Sequence, residues 1–260
     1  MARYQVILAY DGTRFYGSQV QAKSRTVQGE LEKSLRKLGW SGKSVIMAGR
    51  TDTGVHATGQ VAAFDFEWAH SADKLLKALN SHLPPDLVIR SLSPASADFH
   101  PRFDAVSRQY RYRLFFEPIR DPLREKYLWR VWPPVAEDAL NQNASIFLGK
   151  HDFAALGSPT TPNGTTVRTV TKAEWKKMSD GEWQFEVRAD AFLYRMARRL
   201  VFVQVSLAQG RSSVEKIKNA LERQDKLLAG LAPAYGLTLV EVTYGSHDYK
   251  VSHDLPDKNW

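Results

Sequence analysis

The first hundred residues switch between two hydrophobic spacings in a fixed order, and that order limits the folds open to the chain. Residues 4–10 are rich in β-formers and end at the turn signal Asp11-Gly12-Thr13, which predicts a strand followed by a loop. After Thr26, apolar residues recur at spacings of four, four and three up to position 38. This pattern predicts an amphipathic helix, with Thr26 as its N-cap and Gly39 as its stop.

The same hundred residues contain three more strand patterns and one more helix pattern. Strands are predicted at residues 45–48, 60–66 and 88–92, and a helix after Ser71 is ended by Pro84-Pro85. The order strand, helix, strand, strand, helix, strand is that of ferredoxin-like domains. We therefore expect the first hundred residues to form one such unit.

A similar order returns in the remainder of the chain. Strands are predicted from 110 to 116, at 170–175, 183–189 and 237–244, and helices at 135–148, 193–207 and 214–221. The sequence thus predicts two α+β halves of related layout that meet near residues 100–108. We assign them to residues 1–104 and 105–246, with a loop at 157–164 and a polar tail at 247–260.

Charge and cysteine content narrow the possible functions. Of 260 residues, 36 are Lys or Arg and 28 are Asp or Glu, a net charge of +8 that favours a polyanionic partner. The absence of cysteine excludes disulfides, thiolate catalysis and Cys-ligated metal sites. Because the sequence shows neither a secretory signal nor a long apolar run, we expect a cytoplasmic protein without a membrane span.

Common catalytic and cofactor motifs are missing from the sequence. Ser41-Gly42-Lys43-Ser44 ends like a phosphate-binding loop, but Lys37 stands where that motif needs glycine. Nucleophile-elbow, dinucleotide and zinc-protease motifs do not occur, and none of the seven histidines is paired at metal-ligand spacing. We therefore expect no metal site.

One segment, residues 49–57, combines groups that suit catalysis. It places Asp52 between Gly49 and Gly54 and an arginine, Arg50, two residues before the carboxylate. If strand geometry continues, Arg50 and Asp52 share one face, and the nearby guanidinium favours the ionised carboxylate that a nucleophile or base requires. The alternative is a turn in which Asp52 caps its own backbone.

Two regions concentrate basic residues. Residues 101–130 hold eight Lys or Arg against four acids, interleaved with aromatic residues, and residues 195–226 hold eight against three. Such mixtures suit phosphate contacts and base stacking in RNA recognition. In the second region, Arg195, Arg198 and Arg199 are predicted to share one side of a helix. The alternative for each region is an ordinary solvated face.

Eight segments, taken in order, resemble the signatures of the tRNA pseudouridine synthase A family. They are Tyr10-Asp11-Gly12-Thr13 with Phe15 and Gly17, Thr26-Val27-Gln28, the 49–57 run, Leu83-Pro84, Phe103 with Arg108 and Tyr110-Arg111-Tyr112, Gly149 with His151-Asp152-Phe153, Phe192-Leu193 with Met196 and Arg198, and Ala232-Pro233-Ala234 with Gly236-Leu237. The resemblance spans about residues 3–245. It favours a catalytic role for Asp52 over the turn alternative.

This resemblance implies a role for each matching position. Asp52 matches the catalytic aspartate, and Arg50 the arginine that helps to admit a flipped uridine. Tyr110 matches the tyrosine that stacks near the uracil, Arg198 the basic residue that pairs with the aspartate, and Leu237 an apolar residue against the base.

The resemblance also implies an architecture, a substrate and an assembly. The fold class is α+β, with two ferredoxin-like halves forming one extended, mostly antiparallel sheet with helices on one face. The substrate is tRNA, at uridines 38, 39 and 40 of the anticodon stem-loop, and the enzyme is a cofactor-free homodimer. The sequence departs from the family at Ser18, where tryptophan is frequent, and at Phe202, where glycine is usual, and both positions lie outside the 49–57 run.

Two other functions compete with an isomerase. A glycosidase-like hydrolase needs a carboxylate pair, and the 49–57 run holds only Asp52. A non-catalytic RNA-binding module needs only the basic and aromatic content. For the homodimer, Trp129, Trp132, Pro133 and Pro134 form a run that suits either an exposed interface or burial within one subunit.

Overall fold

The computed structural model describes residues 1–161, 163–178, 180–223 and 227–245. These ranges contain ten strands and five α-helices. The strands are β1 (Ala2–Tyr10), β2 (Ile46–Met47), β3 (His56–Phe66), β4 (Leu87–Pro94), β5 (Ala105–Phe116), β6 (Trp129–Val131), β7 (Gly149–Asp152), β8 (Val167–Lys177), β9 (Glu182–Ala189) and β10 (Leu237–Tyr244). The helices are α1 (Val27–Lys37), α2 (Ala72–His82), α3 (Glu137–Ser145), α4 (Met196–Ala208) and α5 (Val214–Arg223).

Strand order confirms the predicted pair of ferredoxin-like halves. The first half, β1 to β4, has the order β4-β1-β3 with β2 paired to β3. The second half, β5 to β10, has the order β10-β5-β9-β8, and β7 extends it at the edge. The second half repeats the element order of the first. Its elements β5, α3, β8, β9, α4 and β10 correspond, in this order, to β1, α1, β2, β3, α2 and β4. The layout is the same in both halves.

The two halves join into one sheet through a short parallel contact. Strand β3 pairs with β10 at His56–Thr238 and Ala57–Leu239. A Cβ atom at position 59 would lie 2.0 Å from the Val240 carbonyl oxygen, so this approach requires Gly59. The other pairings are antiparallel, apart from that of β6 with β5. The sheet is therefore mostly antiparallel, as expected.

Alternation of buried and charged side chains gives the sheet of the second half two unlike faces. On β5, Tyr110 and Tyr112 are buried, whereas Arg111 and Arg113 pair with Glu186 and Glu182 of β9. This alternation is typical of an antiparallel sheet with one packed face and one solvated face. In the first half, Val6 and Leu8 of β1 belong to the same core as the apolar faces of α1 and α2.

Helix ends follow the local signals. Thr26 caps α1 by accepting a hydrogen bond from the Gly29 amide, and Ser71 caps α2 by accepting one from the Lys74 amide. The predicted helix at 193–207 begins only at Met196, because Arg195 has a left-handed backbone with φ of 65°. Strands β6 and β7 were not predicted, since segments of three and four residues carry no clear periodicity.

The limits of the two halves at residues 104 and 105 stay predictions. The predicted polar tail, 247–260, lies outside the described residues, as does residue 162 of the predicted loop at 157–164. Across the described ranges, no helix is long and apolar enough to span a membrane.

Candidate active site

The carboxylate of Asp52 lies on a loop between β2 and β3, where the two halves meet. Residues 50–52 do not form a strand, so the strand geometry that would place Arg50 and Asp52 on one face is absent. Instead, the Val55 amide donates a 3.1 Å hydrogen bond to the Asp52 carbonyl and closes a turn. The φ of +80° at Gly54 explains the glycine in this turn.

Arg198 from the second half supplies the cationic partner of Asp52. Its Nη1 atom donates a 2.8 Å hydrogen bond to Asp52 Oδ2, and its Nε atom donates another of 2.8 Å to the Ala232 carbonyl. The Arg198 and Asp52 side chains are 14% and 24% exposed, so water still reaches the carboxylate. Arg50, by contrast, is exposed and has no ion pair within the described ranges.

Thr51, next to Asp52, is held through all three of its polar groups. Ser18 Oγ accepts a 2.8 Å hydrogen bond from the Thr51 amide, and the Ser18 amide donates one of 3.1 Å to the Thr51 carbonyl. The Tyr10 hydroxyl lies 2.8 Å from Thr51 Oγ1. The sequence gives no local signal of these contacts, because Tyr10 and Ser18 are 41 and 33 residues away from Thr51. Ser18 lies outside the 49–57 run in sequence but contacts it in space.

Tyr110 is buried close to this loop. Its ring packs edge to face against Phe192 at a centroid distance of 4.9 Å. Burial raises the pKa of Tyr110 above its usual value, and the nearby Tyr10 and Asp52 raise it further. Burial also raises the pKa of Tyr10 to about 12. Both phenols therefore keep their protons at neutral pH.

Leu237 begins β10 beside the same loop. The side chain is 5% exposed, and residues 234–236 form a short helical turn directly before it. A Cβ atom at Gly54 would lie 3.3 Å from Ala234 Cβ, so this turn packs against the aspartate loop. The structure thus brings together Asp52, Arg198, Tyr110 and the segment that carries Leu237.

Arg108 joins several main-chain segments around the site. Its guanidinium donates to the carbonyl oxygens of Arg102 at 2.6 Å, Asp190 at 2.9 Å and Ala48 at 3.4 Å. Burial lowers the pKa of Arg108 below its usual value. Because its donors face carbonyls of both halves, Arg108 tightens the junction.

Many basic residues of the 101–130 region are paired within the protein. Arg111 pairs with Glu186 and Arg113 with Glu182, while Arg120 and Arg130 both pair with Glu125. The guanidinium groups of these four arginines therefore contact carboxylates of the protein itself. Directly before α4, Arg195 is exposed and its guanidinium carbon lies 4.8 Å from the ring centroid of Tyr194, which is 46% exposed.

Across the part of the chain that the structure describes, no group of three or more His, Asp or Glu residues is arranged to hold a metal ion. The absence of a cofactor stays a prediction.

The chain matches a known protein family over most of its length. Residues 6–104 and 144–245 match the model of a family described as tRNA pseudouridine synthase. A curated protein from Geobacillus kaustophilus, named tRNA pseudouridine synthase A, is 41% identical over 260 residues, covering 98% of each chain. A protein of the same name from Brevibacillus brevis is 40% identical, and the match covers 94% of this chain and 100% of that protein. Another, from Chloroflexus aurantiacus, is 39% identical, and the match covers 94% of this chain and 89% of that protein.

A chain in a crystal structure titled as a Cbf5-Nop10-Gar1 complex aligns with 78% of this chain and 44% of its own length, at 14% identity and a TM-score of 0.39. So distant a likeness supports no conclusion about this chain.

The α+β fold and the sequence matches define an RNA-modifying isomerase, a pseudouridine synthase. More narrowly, the chain belongs to the tRNA pseudouridine synthase family and forms pseudouridine in tRNA.

Proposed function

We propose that the enzyme converts uridines 38, 39 and 40 of the tRNA anticodon stem-loop to pseudouridine, with Asp52 as the catalytic residue. The observation that carries this proposal is the 2.8 Å contact between Arg198 and Asp52 beside the buried Tyr110. A paired, partly exposed carboxylate meets the need for an ionised group that a substrate can reach.

The proposed reaction moves one bond within the nucleotide. The bond between ribose C1′ and uracil N1 breaks, the uracil rotates, and a bond forms between C1′ and C5. C5 loses its proton and N1 gains one, so no atoms are added or lost overall. Asp52 acts by attacking C1′, by attacking C6, or by removing a proton that begins a glycal route. All three routes require the same oriented carboxylate.

The other proposed site residues bind the substrate. Arg198 pairs with the Asp52 carboxylate and orients it, and Tyr110 and Leu237 contact the uracil. Because the target uridine is stacked in the stem-loop, it must leave the stack at a cost of a few kcal/mol, offset by phosphate contacts and stacking in the pocket. Arg50 is exposed on the aspartate loop and is suited to contact the phosphates of the extruded nucleotide.

A homodimer in the cytoplasm completes the proposal. The segment between β5 and α3 exposes apolar side chains: Ile119 is 79% exposed, Leu123 87% and Trp132 52%. Clustered exposed apolar residues favour a protein interface. Trp129, in contrast, is half-buried and packs against the core. A two-fold dimer would give one tRNA contacts with both subunits.

The decisive experiment incubates the protein with unmodified tRNA and maps pseudouridine by position. We expect modification at positions 38–40, with and without chelator. Asp52→Asn should abolish turnover and keep tRNA binding. Asp65→Asn is a matched control, because Asp65 also pairs with an arginine, Arg3, at 2.7 Å but lies at the far end of β3.

Three results would contradict the proposal. Pseudouridine at other positions would refute the proposed substrate sites. Released uracil would indicate a hydrolase. Full turnover by the Asp52→Asn variant would remove the catalytic assignment.

A further inference from the structure

Ser18 is completely buried and makes three main-chain contacts on two sides. Its carbonyl oxygen accepts a 2.9 Å hydrogen bond from the Gln28 amide in the first turn of α1. Its hydroxyl oxygen accepts a 2.8 Å hydrogen bond from the Thr51 main-chain amide, and its own main-chain amide donates one of 3.1 Å to the Thr51 carbonyl oxygen. Ser18 therefore links the start of a well-packed helix to the residue before Asp52.

The surrounding backbone is shaped for this link. Gly17 has a φ of +84°, and a Cβ atom there would lie 2.9 Å from the Thr51 carbonyl oxygen. Only glycine fits so close an approach in this conformation. Thr51 itself is 7% exposed, so without the Ser18 hydroxyl its amide would be left buried and unpaired. The backbone at Thr51 is thus fixed on both sides.

We propose that Ser18 is a positioning residue for Asp52, and that its hydroxyl holds the aspartate loop in the geometry in which the carboxylate meets Arg198. This rests on the proposed catalytic role of Asp52. Ser18 has no contact with the carboxylate itself, and it acts through Thr51. Losing the hydroxyl should let the loop move, so that the carboxylate spends less time in its reactive position.

The test compares Ser18→Ala with Ser34→Ala. Ser34 is also buried, at 1% exposure, and its hydroxyl donates a 2.9 Å hydrogen bond to the Leu79 carbonyl, between α1 and α2. Both substitutions remove one buried hydroxyl that binds the main chain in the first half. Only the one at position 18 touches the aspartate loop.

For Ser18→Ala we expect kcat for pseudouridine formation to fall roughly tenfold or more, with KM and tRNA binding within about twofold of the unsubstituted enzyme. Ser34→Ala should keep kcat within about twofold. Ser18→Cys keeps an unbranched side chain but replaces the hydroxyl by a larger group that is only a weak acceptor, so it should give an intermediate kcat.

Hydrogen exchange gives a readout independent of activity. The Thr51 amide should exchange roughly tenfold faster or more in Ser18→Ala than in the unsubstituted protein, while amides of β1 keep their rates. If the unsubstituted protein made no pseudouridine, the proposed function would fail, and this exchange rate would still report whether Ser18 holds the loop. The positioning role is refuted if Ser18→Ala keeps full kcat and slow Thr51 exchange, or if Ser34→Ala lowers kcat equally.

Discussion

Replacing Arg198 by methionine tests the contact on which the proposed chemistry depends. Methionine keeps a long unbranched stem but has neither charge nor donors. The change removes the 2.8 Å bond to Asp52 Oδ2 and the 2.8 Å bond to the Ala232 carbonyl. Asp52 then keeps its position in the loop, since Thr51 is held separately by Tyr10 and Ser18.

The size of the effect follows from the bond that is lost. A hydrogen bond to a charged group contributes roughly 1.5–3 kcal/mol, and each 1.36 kcal/mol of transition-state free energy is a factor of ten in rate. Since the carboxylate is 24% exposed, water replaces part of the interaction. We therefore expect kcat to fall roughly 10- to 150-fold. Arg198→Lys keeps the charge but, with one nitrogen, does not reproduce both bonds, so its loss should be smaller.

Arg199 is the matched control, because it is the next residue of α4 and also binds main-chain carbonyls. Its Nη1 atom donates a 2.7 Å bond to the Gly230 carbonyl, and it has no contact with Asp52. Single-turnover assays on unmodified tRNA should show a near-normal rate for Arg199→Met and the slow rate for Arg198→Met, with tRNA binding measured in parallel. If Arg198→Met binds tRNA and reacts within twofold of the unsubstituted enzyme, the reasoning is wrong.

Four further outcomes are expected. A Cβ atom at Gly12 would lie 2.0 Å from the Val55 carbonyl oxygen, so Gly12→Ala should lower the free energy of unfolding by about 1–3 kcal/mol or more in urea titrations. Burial, opposed by Asp11, lowers the pKa of His56 below 6.5. The folded state thus binds a proton at His56 less well than the unfolded state does. The free energy of unfolding should therefore fall as pH drops below 6.5, and it should fall less steeply in the His56→Gln variant. Trp132→Ser should shift light scattering toward the mass of a single 29.4 kDa chain, and an unchanged mass would exclude this patch from the dimer interface. The logarithm of the tRNA binding constant should decrease linearly with the logarithm of salt concentration, and a flat response would show that basic residues do not bind phosphate.

Local patterns predicted the secondary structure because spacing and capping are properties of neighbouring residues. Thr26 caps α1 as expected. The β-α-β-β-α-β order occurs twice along the sequence, and it predicts both halves. The cationic partner of Asp52 could not be predicted from local patterns. The sequence offered both Arg50 and Arg198, and Arg50 depended on strand geometry that residues 50–52 do not adopt. Arg198 lies 146 residues from Asp52, so only the resemblance to a family pointed to it.

The contacts that hold the site could not be predicted for the same reason. Arg108 belonged to a basic region that suited phosphate binding, yet its guanidinium donates to the carbonyls of Ala48 and Asp190, which are 60 and 82 residues away. Ser18 stood out only as a departure from the family, because an isolated serine in a loop has no periodicity that would point to its partner. Its role depends on the contact between its loop and the loop of Thr51, which only the folded chain brings together.

The position of the site follows from how the halves are joined. Asp52 comes from the first half and Arg198 from the second, while the sheet connects them through only two paired positions of β3 and β10. Besides Arg108, two further side-chain contacts reinforce the junction: the Tyr127 hydroxyl donates a 2.8 Å bond to Asp11 Oδ2, and His56 Nε2 lies 3.1 Å from the Tyr235 carbonyl oxygen. A hydrogen bond weakens steeply as its length grows and its angle departs from linear. A small shift at this junction therefore separates the Arg198 guanidinium from the Asp52 carboxylate before the core of either half is disturbed. The ion pair forms only when both halves are folded and docked, so the packing of the junction sets the geometry of the site.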